Sequence, residues 1–73
     1  MERVQLDVLR EALLKMQRKE TVERAVGKAV RAKNLDFSTY VQIMGEVREF
    51  AHKHGISEID AAHQLLREGD DKT

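Results

Sequence analysis

The stretch FAHKHGISEIDAAHQLL, residues 50–66, carries one apolar-periodic segment into a glycine and a second one out of it. Gly55 follows His54 where a helix that ends in a left-handed residue needs a position without a Cβ. Ser57 then offers its hydroxyl to the first free amides of a new helix, with Asp60 three residues on as a short form of the capping box. The junction reads as a corner between two helices. Before it, Phe37, Tyr40, Val41, Met44, Val47, Phe50 and Ala51 recur at three and four residues, the spacing of one helical face. After it, Ile59, Ala62, Leu65 and Leu66 face inward until Gly69, where the pattern predicts a stop. The helix before the corner holds both phenylalanines and the only tyrosine, so it is expected to be the central element.

Working back towards the start, the join KNLDF, residues 33–37, places Asp36 as an N-cap, with Leu35 able to pack on Tyr40 as a hydrophobic staple. A second helix is expected from a cap at Thr21 to about Lys33, with Val22, Ala25, Val26, Ala29 and Val30 inward and Arg24, Lys28 and Arg31 along another face. The first helix is expected over about residues 4–18, with a stripe of Leu6, Leu9, Leu13 and Met16. Val8 and Leu14 project about 120° to either side of that stripe at 100° per residue. This helix is therefore apolar over much of its circumference, as if packed on several sides or offered to a partner.

The chain has 73 residues, no cysteine and no proline, and charged residues make up 36%. That length holds one domain with a small core, and the lack of cysteine leaves helix packing to stabilise it. The expectation is an all-α, small single-domain bundle of about four helices over residues 1–69, with a flexible acidic tail over 70–73. No apolar run approaches a membrane span, and the opening MERVQLDVLRE is too charged for a secretory signal. A complete, untagged, cytoplasmic chain without a membrane partner is expected. The formal charge is zero, but residues 1–33 hold nine Lys/Arg against five Asp/Glu, or +4, and residues 34–73 hold four against eight, or −4.

No catalytic constellation is present, so no enzyme activity and no cofactor are expected. The carboxylates fall at exposed helix positions among basic neighbours, and no hydroxyl has an evident base. His52 and His54 diverge by about 200° on a helix and His63 lies on another element, so no metal site is expected. Ala51, Gly55, Ile56 and Ser57 resemble the turn of helix-turn-helix proteins, which would make the last helix a DNA reader with His63, Gln64 and Arg67 towards the bases. A recognition helix presents its first turn to the groove. Here that turn carries Glu58 and Asp60, and Ala61 and Gln64 stand where that family places core side chains. Direct nucleic-acid binding, by a dimer, is thus the alternative reading.

The stronger candidate is the basic surface. Lys15, Arg18 and Lys19 at the end of the first helix continue into Arg24, Lys28, Arg31 and Lys33, partly as favourable charge at helix C-termini. Such a surface either serves solubility alone or meets nucleic-acid phosphates or an acidic protein surface. The candidate partner-binding residues are Val8, Leu14, Lys15, Arg18, Arg24, Lys28 and Arg31.

From MERVQLDVLREALLKMQRK to HQLLREGDDKT, the chain resembles in length and character the small helical transcription regulators of lytic phages that bind host RNA polymerase. The resemblance implies a viral, non-enzymatic protein, monomer or homodimer, in the host cytoplasm. It would contact the large polymerase subunits, block sigma-dependent initiation and promote antitermination. No binding residue follows from the resemblance.

Overall fold

The computed structural model describes residues 1–71. Among them the chain forms α1 (Arg3–Lys15), α2 (Val22–Ala32), α3 (Phe37–His54) and α4 (Glu58–Asp71), with no strand. The four expected helices are all present. α1 pairs most extensively with α2 and α3 with α4, and every pair of helices is in contact. The result is an all-α domain about 30 × 30 × 20 Å across.

α1 ends at Lys15, short of the expected residue 18, because Met16 leaves the helix in an extended conformation and packs against the core. The turn that follows is closed by Glu20, whose side chain accepts from the Gln17 amide at 3.3 Å. Thr21 is the expected cap of α2, its hydroxyl accepting from the Arg24 amide at 3.1 Å. Ser57 serves α4 in the same way, accepting from Asp60 at 3.2 Å. Asp36 does not match its expected role: it precedes α3, but its carboxylate makes no capping hydrogen bond.

The C-terminal ends of α2 and α3 share one geometry. Gly55 has φ 62°, and the Ile56 amide donates to Ala51 O at 3.0 Å. At the end of α2, Asn34 has φ 56°, the Leu35 amide donates to Val30 O at 3.0 Å and the Asn34 amide to Arg31 O at 3.1 Å. Both are Schellman ends, in which a left-handed residue lets the chain double back onto the last carbonyls of the helix. Asparagine tolerates that conformation better than other side chains do, so NL after an apolar-periodic run carries the same signal as GI.

Leu9, Ile43, Met44, Val8, Val26 and Val47 are the largest fully buried side chains, surrounded by Ala12, Ala25, Ala29, Ala51, Ala61 and Ala62. Three expectations are corrected here. Val8 is wholly buried, because neighbours pack on several sides of α1. The stripe expected on α3 is rotated: Ile43, absent from it, is wholly buried, whereas Val41 is 51% exposed and Phe37 73% exposed. At 100° per residue, Ile43, Met44, Val47 and Ala51 span an arc of about 100°, and Val41 falls about 60° outside it. Finally, Gly69 does not stop α4. A Cβ there would lie 2.6 Å from Leu6 Cδ1, so the glycine allows α4 to approach α1 closely. The helix continues through Asp70, which pairs with Arg10, to Asp71. Of the expected tail, Asp70 and Asp71 are thus helical, and Lys72 and Thr73 lie outside the described residues.

Candidate functional site

The inward valines and alanines of α2 fix which way its charges point. Val22, Ala25, Val26, Ala29 and Val30 are buried, so Arg24 and Arg31 are held outward, and both are exposed. Neither arginine has an ion-pair partner within 4 Å among the described residues. The left-handed turn at Asn34 folds Leu35 and the start of α3 back beside α2. Between the two lies a groove of about 860 Å³ lined by Thr21, Glu23, Arg24, Gly27, Val30, Arg31, Leu35, Phe37 and Tyr40. Arginines stand on its α2 side. On its α3 side Phe37 and Tyr40 stack, with ring centroids 5.2 Å apart and planes 26° from parallel.

Gly27 lies on this groove. A Cβ there would sit 3.8 Å from Tyr40 Cε2, an ordinary van der Waals contact. Packing therefore does not demand glycine, although in a helix interior it costs about 0.5–1 kcal/mol relative to alanine. What its bare backbone does is leave the groove open over the edge of the Tyr40 ring.

Among the described residues Glu23 is the one carboxylate that lines the groove, and its charge is engaged: Arg48 Nη2 lies 2.6 Å from Glu23 Oε2. Burial first, and then a hydrogen bond to Glu23, push the Tyr40 phenol up from its ordinary value. The groove thus offers apolar surface flanked by two arginines that have no ion-pair partner within 4 Å among the described residues.

Lys15, Lys28 and Lys33 are engaged by carboxylates. Lys28 Nζ lies 2.5 Å from Glu20 Oε2, and the Glu20 side chain is only 7% exposed. The hydrogen bond from Lys28 holds the Glu20 carboxyl below the usual range, against the opposing effect of burial. Lys15 lies 2.9 Å from one oxygen of Glu11 and Lys33 3.0 Å from the other. That clip ties α1 to the end of α2 and lowers the Glu11 carboxyl, through Lys15 first and then Lys33. On α2 the basic face expected from spacing is therefore reduced to Arg24 and Arg31, because Lys28 is held by Glu20 in the turn before that helix, while Lys15 is held by Glu11 within α1. Leu14, 80% exposed, and Arg18, also exposed, do not line the groove, and Val8 is out of a partner's reach.

His63, Gln64 and Arg67 are exposed on α4. At 100° per residue Arg67 shares its face with Asp60 and Asp71. At the start of the helix Glu58 approaches Arg48 at 3.6 Å. Acidic groups thus frame the side chains that would read bases, an arrangement that opposes a phosphate-lined groove.

Phe37 and Gly27 were readable as a site only indirectly. The signal in the sequence is a glycine inside a helix that shows no turn chemistry, but the facing aromatic pair depends on where α3 lands. Comparison of the chain with known protein families, with curated proteins and with solved structures gave no match.

Proposed function

We propose that this chain is a non-enzymatic regulator that acts by binding another protein, and that the α2–α3 groove is where it does so. The observation that carries the reading is Phe37. A phenylalanine 73% exposed beside two arginines without ion-pair partners among the described residues is costly to leave in water, and aromatic and arginine side chains together are the residues that anchor protein interfaces. The charge calls for an acidic partner surface. The whole-chain resemblance supplies a partner class, the large subunits of bacterial RNA polymerase, where occupancy would interfere with sigma-factor engagement and alter termination.

The test is association of the immobilised chain with purified bacterial RNA polymerase at two salt concentrations. Arg24→Glu with Arg31→Glu should slow association strongly and flatten its salt dependence, since charge complementarity acts largely on encounter. The melt should change little, because both side chains are exposed. Absence of polymerase binding by the parent chain would remove that partner. An unchanged association rate in the double variant would remove the groove.

A further inference from the structure

We infer that the groove receives a partner α-helix carrying an apolar side chain between two carboxylates that stand seven residues apart. The apolar side chain lies over Gly27 and the carboxylates meet Arg24 and Arg31. This rests on the protein-binding reading above and names the chemistry of the partner.

Geometry selects a helix. Arg24 and Arg31 are two turns apart on α2, about 10 Å along its axis at 1.5 Å per residue. A helix laid alongside presents its own residues i and i+7 at the same separation on one face, and an anchor at i+3 or i+4 falls between them, opposite Gly27. An extended segment puts side chains of one face at about 7 or 13 Å, from a rise of about 3.3 Å per residue. Neither interval matches the arginines. Gly27 leaves the groove open at the middle of that span, and the stacked Phe37 and Tyr40 form its far wall.

Charge selects an acidic partner and disfavours the alternatives. Each guanidinium can take a carboxylate in a bidentate, charge-assisted pair. The groove's own carboxylate, Glu23, is held by Arg48 and does not compete for them. A second copy of this chain is not the occupant, because no two of its acidic residues stand seven apart. A nucleic acid would have to bring its phosphates up to a molecule with no net charge.

The probe is a synthetic capped helical peptide of roughly 18 residues, Ala- and Gln-based, with one Glu-x-x-Leu-x-x-x-Glu set. It is titrated into the full chain while amide shifts are followed by NMR. The expected result is saturable binding with shifts centred on Gly27, Leu35, Phe37 and Tyr40. Affinity should fall at least tenfold when the peptide leucine becomes alanine, and similarly when the two glutamates are moved to five apart. On the protein side, Gly27→Met should block the groove, weakening binding at least tenfold with a melt equal to or above the parent's. Arg24→Gln with Arg31→Gln should weaken it comparably.

Equal binding of the respaced peptide, unaffected binding by Gly27→Met, or no binding at millimolar peptide would each overturn the inference. So would displacement of the peptide by an equal concentration of single-stranded oligonucleotide. The same variants assayed on RNA polymerase separate the two claims. If Gly27→Met binds polymerase like the parent and the peptide does not bind, the groove inference fails while the regulator reading stands. If the peptide binds and polymerase does not, the partner assignment fails alone.

Discussion

Val41 and Ile43 are β-branched aliphatic residues two apart on α3, and the structure assigns them opposite fates: Ile43 is wholly buried and Val41 is 51% exposed. Truncating each to alanine is therefore a sharp test of how α3 is rotated. Ile43→Ala removes buried methyl and methylene groups and leaves a cavity among close-packed neighbours, which costs about 2–5 kcal/mol. The alanine recovers a few tenths of a kcal/mol through its higher helix propensity. A domain of this length has a total stability of about 4–11 kcal/mol, at roughly 0.05–0.15 kcal/mol per residue, so Ile43→Ala removes a large share of it. Val41→Ala loses little packing and gains the same propensity, so it should stay within about 0.5 kcal/mol of the parent. Urea unfolding followed by circular dichroism measures both, with an unchanged slope in denaturant showing that the same surface is exposed. At about 4–8 °C per kcal/mol, the Ile43 variant should also melt at least about 7 °C lower. Equal losses at the two positions, or a larger loss at Val41, would refute the packing described for α3 and with it the exposure of the groove's aromatic wall.

Three further outcomes follow from the helix ends and the ion pairs. Thr21→Ala should cost about 1 kcal/mol because it removes a formed cap, whereas Asp36→Ala should cost much less because that carboxylate caps nothing; chemical denaturation distinguishes them. Gly55→Val and Asn34→Val should each destabilise by about 1–3 kcal/mol, since a β-branched residue resists positive φ, while Asn34→Gly should be neutral or stabilising. Glu11 and Glu20 have carboxyls held below their ordinary 4.5. Their contribution is therefore present above that value and is lost as pH falls through the lowered folded pKa. Melting temperature should drop across this acidic window, and the drop should be shallower in Glu11→Gln with Glu20→Gln; an identical pH profile in that variant would count against both clips.

Local chemistry made much of the architecture legible. A glycine that must be left-handed, a serine and a threonine that cap, and apolar residues at three and four are signals carried within a few residues, and they placed four helices and the α3–α4 corner. The Asn34 turn belonged to the same class of signal. What the spacing left open was rotation. An apolar residue at the edge of a helical stripe is buried or exposed according to which neighbours reach it, so Val8 went to the core, while Val41 and Phe37 went to the surface. The same holds for charge. Lys15, Lys28, Arg24 and Arg31 are alike as residues in a sequence, but Glu11 stands four before Lys15 on α1, the turn between α1 and α2 brings Glu20 to Lys28, and among the described residues the arginines have no ion-pair partner within 4 Å. The groove exists only because the left-handed turn at Asn34 sets Phe37 and Tyr40 beside Gly27. That juxtaposition across two helices is a tertiary fact, since the helical period of either segment determines its own face and says nothing of what the other brings to meet it.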